Sequence, residues 1–262
     1  MVLARIAEQS ARDPGRVFTT LAHHMTVEFL QEAFERVRPK AAPGVDGVTW
    51  ATYARNLTTN LEDLHRRLRA GNYYAPPVRR VWIDKEDGRR RPLGIPTLED
   101  KIVQRAVAML LEAVYEPIFR DFSYGFRPGR SAHQALTYLR RQCLEKGITW
   151  IVDADVSGCF DHIDHGNLRT FLKGKVNDGS LLRLIGKWLN AGVMEEGCLQ
   201  RPDAGTPQGG VVSPILANIY LHHVLDEWIT QDVQGRLSGE STVVRFADDC
   251  APRRREGGLM AT

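Results

Sequence analysis

Three aspartates stand where apolar, strand-like stretches end. Asp155 lies within Trp-Ile-Val-Asp-Ala-Asp-Val at residues 150–156, and Asp248 and Asp249 follow the β-branched and aromatic run 242–246. If the two strands are neighbours, carboxylates from both converge at one sheet edge. Clustered carboxylates repel one another and need divalent cations to neutralise them. An all-oxygen donor set suits Mg2+, which also holds substrate phosphates. Two such ions about 3.5–4 Å apart can clamp the attacking and leaving oxygens of a phosphoryl transfer. An isolated Asp-Asp pair marks a solvated turn more often than a metal site, so the residues around it decide the reading.

The elements that must position these acids can be read from periodicity. A helix is predicted over 21–38, with Val27, Leu30, Phe34 and Val37 at helical spacing and Pro39 as its stop. A second covers 53–70. Residues 78–83 and 89–95 read as a ribbon around a turn at 85–88. Thr97 and Ser131 each open a capping-box pattern, the first before a helix with Val103, Val107, Leu110 and Val114 on one stripe, the second before a helix ending near Lys146. After the strand 150–156 come helices at 165–172 and 181–191, then a hairpin with a loop within 192–208. Ser213-Pro214 reads as an N-cap with proline at the first helical position. That helix runs through Leu216, Ile219, Tyr220, Val224 and Trp228 to the strand 242–246. The pattern predicts an α+β fold, with helices on one face of a largely antiparallel sheet and a boundary near Thr149.

Bulk properties narrow the class. The 262 residues are 43% hydrophobic and 26% charged, with net charge +3, as in an ordinary globular protein. Six Lys/Arg against three acids between Arg79 and Arg91 suit a phosphate-binding surface as well as a solvated loop. The four cysteines form no CxxC pair, which argues against a zinc ribbon or a disulfide framework. His162/His165 and His222/His223 lack the further ligands of a zinc site and read as structural or surface residues. No apolar run is long enough for a membrane span and the first residues lack a signal-peptide core. A cytoplasmic protein without membrane partners is the expectation.

Five further stretches carry a resemblance. They are Gly44-Val-Asp-Gly-Val-Thr49, Arg91-Pro-Leu-Gly-Ile-Pro96, Ser123-Tyr-Gly-Phe-Arg-Pro-Gly-Arg-Ser131, Asp153-Ala-Asp-Val-Ser-Gly-Cys-Phe-Asp161 and Gly205-Thr-Pro-Gln-Gly-Gly-Val-Val-Ser-Pro214. With Arg245-Phe-Ala-Asp-Asp249 behind them, this order resembles the reverse transcriptases encoded by bacterial group II introns, from Pro43 to Asp249. The resemblance implies the fingers and palm of a right-hand polymerase: a helical extension at 1–42, fingers at 43–149 and an incomplete palm at 150–251.

The resemblance also implies roles. Asp155, Asp248 and Asp249 match the catalytic metal ligands for two Mg2+ ions, with Asp153 in support. Phe160 matches a sugar gate, against the simpler reading of a core phenylalanine. Lys85 and Arg91 match triphosphate contacts, Lys85 more loosely, and Gln208 matches a residue beside the nucleotide. Tyr124, Phe126, Arg127 and Arg130 suit either template contact or a rigid packed loop. The implied reaction is RNA-directed DNA synthesis from dNTPs on an RNA template, the intron RNA, with a DNA primer or target. Intron splicing and mobility are the wider family role.

Residues 252–262 lose strand alternation, and Pro252 cannot donate to a ladder. The expectation is a truncated or frameshifted reading frame without a thumb, a disordered tail at 252–262 and weak polymerisation. Two alternatives stand beside the leading one: a reverse transcriptase of another bacterial retroelement, and a non-catalytic RNA-binding remnant.

Overall fold

The computed structural model describes residues 1–84, 88, 90–147, 150–156, 158–195, 198–200, 209–236 and 241–254. Helix α1 (Val2–Arg12) leads, through a 3-10 turn at Ala22–His24, to α2 (Val27–Glu35). The helix predicted over 21–38 is split for a physical reason. The Leu21 and Ala22 amides donate to the Asp178 carboxylate at 2.7 and 2.8 Å. Thr26 then starts α2 afresh by capping the Phe29 amide. The predicted helix 53–70 is also two, α3 (Trp50–Ala54) behind a Thr49 cap and α4 (Leu57–Arg69).

Strands β1 (Val78–Asp84) and β2 (Arg90–Ile95) form the expected antiparallel ribbon. Thr97 caps α5 (Leu98–Tyr115) by accepting from the Asp100 amide. Buried residues run around α5 rather than along one stripe, because it is the axis of the main core, with α1 and α2 packed on it. Inside that core the Asp100 carboxylate accepts from the Tyr73 hydroxyl and Trp188 Nε1, both at 2.6 Å, and from Gln104 Nε2 at 2.9 Å. A carboxyl so buried is tolerated only with such partners around it, and burial pushes its pKa above the ordinary value.

Ser131 caps α6 (Ala132–Glu145). Strands β3 (Trp150–Ile151) and β4 (Ala154–Asp155) are followed by α7 (His165–Lys175), α8 (Gly179–Leu189) and the hairpin β5 (Val193–Glu195) and β6 (Cys198–Gln200). Helix α9 (Ser213–Leu221) continues in π register over His222–Asp226 and Ile229–Val233. Val212, not Ser213, is its N-cap, so Ser213-Pro214 opens the helix itself. Val224 and Trp228, named among the apolar residues of the predicted helix, are 48% and 52% exposed, while His222, Asp226 and Ile229 are buried. The inward face is partly polar here, and apolar periodicity cannot locate a polar face. Strands β7 (Ser241–Phe246) and β8 (Asp249–Arg254) close the fold.

The α+β class read from the sequence is observed, as two sheets. The first has order β2-β1-β5-β6, with β1 and β5 parallel through Val78↔Val193. It joins residues from both sides of the boundary predicted near Thr149, which itself lies outside the described residues. The second is antiparallel throughout, with β8 between β7 and the β3–β4 edge.

Strand character was expected to end at Ala251, but β8 runs through Pro252 to Arg254. In the register set by Ile151↔Arg253 and Ala154↔Cys250, Pro252 falls opposite Val152. That is where the predicted strand 150–156 is interrupted, as a residue without an N–H would cause. On its other side β8 stays paired, with Pro252 facing Val243. Residues 255–262 lie outside the described ones. No described helix is long and apolar enough to cross a membrane.

Asp100→Ala strands the Tyr73, Trp188 and Gln104 donors in the core. At about 1–3 kcal/mol per unsatisfied buried group, urea unfolding is expected to show a loss of about 3 kcal/mol or more. Asp100→Asn, which keeps an acceptor, is expected to lose less.

Candidate active site

The second sheet brings the aspartates together. Asp155 ends β4 and stands directly opposite Asp249, the first residue of β8. The neighbouring strands that the sequence argument required are therefore β4 and β8, not β4 and β7. Asp248 belongs to the two-residue turn between β7 and β8, whose flanks Phe246 and Asp249 are paired. The Val156 amide donates to the Asp248 carbonyl at 3.3 Å, tying the turn to the end of β4.

Asp155 and Asp249 are exposed and Asp248 is half-buried. Burial, then the negative charges of Asp248, Asp155 and Asp153, push the Asp249 carboxyl above its ordinary value. Burial, then the charge of Asp248, likewise pushes the Cys159 thiol up to about 11. This is concentrated negative charge on oxygen donors, a set that fits a hard divalent cation. The side chains are not closed around a point, however. Among the described residues, the group of three potential metal donors whose ligand atoms lie within 4.8 Å of one another is His222, His223 and Glu227. There His223 Nδ1 and Glu227 Oε2 are at hydrogen-bond distance, 3.2 Å, and burial holds the His223 pKa below its ordinary value.

The turn that carries Asp248 is held from behind. Ala247 has φ 58°, a left-handed backbone that costs a non-glycine residue about 1–2 kcal/mol. It matches the first central position of a primed hairpin turn. Arg245, fully buried on β7, fixes this conformation by donating Nη1–H to the Ala247 carbonyl at 2.9 Å. Its Nε and Nη2 donate to the two Asp226 oxygens, each at 2.7 Å, and Nη1 also reaches Asn218 Oδ1 at 3.2 Å. Asn218 Nδ2 in turn donates to the Gly125 carbonyl at 2.7 Å. Gly125 lies so close to the turn that a Cβ there would sit 2.1 Å from the Ala247 nitrogen. The Tyr124 amide completes the contact by donating to the Arg245 carbonyl at 2.8 Å. No role was assigned to Arg245, Asp226 or Asn218 from the sequence, although an arginine inside Thr-Val-Val-Arg-Phe was a signal: a cation in an apolar strand needs a partner.

Phe160 is 8% exposed and belongs to the main core, and its ring meets the edge of Phe126 with centroids 6.2 Å apart. Arg91 is exposed on β2, opposite Ile83. Lys85 and Gln208 lie outside the described residues. Gly209, next to Gln208, has φ 106° and packs on Leu93 and the Gly94 carbonyl, so two of the motifs meet there. In the loop 123–131, packing accounts for most side chains. Arg127 is buried and holds Glu116 and the Arg120 and Ser123 carbonyls. Arg130 holds Asp121 and lies over the Tyr124 ring. Phe126, 49% exposed, is the aromatic of this loop left open to solvent.

The mixed helix-and-sheet architecture with paired carboxylates at one sheet end is consistent with the fingers and palm of a reverse transcriptase. The family model for reverse transcriptase (RNA-dependent DNA polymerase) matches residues 83–251, and the chain belongs to that family, in its group II intron-encoded branch. It is 39% identical over 232 residues to the group II intron-encoded protein LtrA of Lactococcus lactis subsp. cremoris, covering 88% of this chain and 38% of LtrA. It is 38% identical over 249 residues to protein YkfC of Escherichia coli (strain K12), covering 92% of this chain and 64% of YkfC. An uncharacterized 91 kDa protein in the cob intron of Schizosaccharomyces pombe is 45% identical over 169 residues, which are 64% of this chain and 21% of that protein. The chain thus spans less than two thirds of the length of these relatives.

The buried pair behind the turn is testable by charge and pH. Burial opposes ionisation of Asp226, but His222 and the Arg245 guanidinium outweigh it and hold the carboxyl below the ordinary range. Asp226→Asn leaves a buried cation unpaired, so a loss of about 3–5 kcal/mol is expected at neutral pH. Because the folded pKa is depressed, the stabilisation is fully present above the ordinary carboxylate pKa. It is lost as pH falls through the lower folded value. Unfolding measured against pH should show the gap between the two proteins closing only in acid.

Proposed function

We propose that this chain carries the catalytic centre of an RNA-directed DNA polymerase, joining a dNTP to a primer 3′-hydroxyl on an RNA template. The observation that carries the reading is the Asp155↔Asp249 pairing beside the Asp248 turn, in a chain of the reverse transcriptase family. In this reading β3, β4, β7 and β8 with α9 form the palm, and the sheet containing β1 and β2 belongs to the fingers of a right-hand polymerase.

Asp155, Asp248 and Asp249 would hold the two divalent ions, typically Mg2+ in this family. The ions supply charge neutralisation at the triphosphate and acidify the attacking hydroxyl. The protein's own part is to hold three like charges together, orient the nucleotide and choose its sugar. Arg91 and Lys85 contact the triphosphate, where a guanidinium fork matches phosphate oxygens, and Gln208 lies beside the nucleotide. Phe160 closes the space under the sugar by steric bulk. Its burial in the core is compatible with this, because a gate must be rigid to reject a single hydroxyl. The partners are RNA and DNA, with group II intron RNA as the template.

Single-nucleotide incorporation on a primer annealed to RNA, with Mg2+, tests the centre. Asp248→Asn is expected to lower the rate by about 100-fold or more, the scale of removing one electrostatic stabiliser. Equal rates for variant and parent would remove the assignment. Phe160→Ala is expected to raise the ratio of ribonucleotide to deoxyribonucleotide incorporation. A ratio is insensitive to the fraction of protein lost to unfolding, so it separates a gate from a core phenylalanine.

A further inference from the structure

A cavity of about 480 Å3 lies between α4 and α8, closed at one end by the 3-10 turn at Ala22–His24. It shares no lining residue with the aspartate cluster. Two helical faces build it. His65, Leu68 and Arg69 follow one another at helical spacing on α4, and Ser180, Arg183, Leu184 and Lys187 do so on α8. The floor is apolar, with Met25 and Leu184 buried and Leu68 half-buried. The rim carries Arg69, Arg183 and Lys187 together with His23 and His65, and none of the described lining residues is acidic.

The nearby carboxylates do not cancel this charge. Asp178, in the adjoining cleft, is buried and accepts from four backbone amides, those of Leu21, Ala22, Ser180 and Leu181. Glu28, whose charge interacts with His65, is exposed to solvent. The cations retain free hydrogen-bonding capacity. Lys187 Nζ is anchored on the Tyr73 carbonyl, which uses one of an ammonium's three donors. Arg183 uses one nitrogen on Ser180 Oγ at 3.2 Å, and a guanidinium has five N–H groups. An apolar floor under a cationic rim is complementary to a group that is flat and apolar at one end and multiply charged at the other.

We propose that this cavity is a phosphate site separate from the aspartate centre. It takes one nucleotide unit, with the base on the Met25–Leu68–Leu184 floor and the phosphate on Arg69, Arg183 and Lys187. The same chemistry is offered by a nucleotide within an RNA strand and by a free nucleotide.

The test uses the whole chain with Arg69→Ala and Arg183→Ala combined. Both residues are exposed, so an unchanged melting temperature is expected. Affinity for a short single-stranded RNA, measured by fluorescence anisotropy over a salt series, should fall about fivefold or more at low salt. The slope of log affinity against log salt should become shallower by up to about 0.7, the value for one neutralised phosphate of a single strand. AMP is the second probe. If AMP binds the parent and competes with RNA, and the double variant loses AMP, the site takes free nucleotides. If AMP does not bind but RNA affinity and salt slope fall, the site takes a strand. A double variant that binds RNA and AMP as the parent does overturns the proposal. Asp248→Asn is expected to keep RNA affinity while losing incorporation, so failure of the aspartate reading and failure of this one are distinguishable.

Discussion

The aspartate turn depends on one buried ion pair. Arg245 is wholly enclosed in a strand of threonine, valine and phenylalanine, and a lone cation there would be prohibitively costly. Asp226 meets it with both oxygens at 2.7 Å, which fixes the extension of α9 against β7. The same guanidinium holds the Ala247 carbonyl and Asn218, and Asn218 holds the loop at Gly125. Helix, strand, turn and loop therefore share one donor group. This matters because the site itself provides no cohesion. Its carboxylates repel one another, and after burial the charges of Asp248, Asp155 and Asp153 push the Asp249 carboxyl above its ordinary value. Their placement must come from groups behind them, and the left-handed Ala247 is tolerated because it is held on two sides.

The continuation of α9 shows how a helix delivers such a partner. From His222 onward it adopts π register, and the face toward the sheet carries His222, Asp226 and Ile229. Extra residues in a turn rotate later side chains by about 100° each, and π segments often occur beside functional sites. Here the departure from regular helix accompanies a buried acid that must face a buried base. Asp100 follows the same rule in the other half of the chain, where three donors on two helices and a loop converge on one carboxylate.

The sequence was most legible where local chemistry decides structure. The Thr97 and Ser131 caps, the β1–β2 ribbon and the β7 strand were readable because each depends on nearby residues. Motif order led to the aspartates, and the structure brings them to one sheet end. Long-range pairing was not readable. That β8 lies beside β4, or that β5 joins β1 in parallel, depends on contacts far apart in sequence. The buried face of the helix continuing from α9 was not legible for a different reason. Counting apolar residues selects Val224 and Trp228, while two of the buried positions are the polar His222 and Asp226, and Asp226 has its partner on another element. A buried charge is legible only when both members of the pair are recognised, and Arg245 alone was not enough to name Asp226.

Strand order decides which backbone carries Asp249. A β4–β7 neighbourhood would have placed Asp155 against the strand before the turn. With β8 between them, Asp249 instead sits in a strand laddered on both sides, opposite Asp155 on one and Phe246 on the other. Its backbone is therefore fixed twice, while its side chain remains exposed. Asp248, in the turn, is fixed through Ala247 and through the Val156 amide. The backbone beneath each acid is thus tied to a neighbouring strand or turn, and the Asp155 and Asp249 side chains are exposed. Under the function proposed above, that division would let like charges stand apart when alone and close on a cation when one is supplied. Rigidity in the carboxylates would have made the repulsion permanent, whereas rigidity in the backbone fixes only where they can meet.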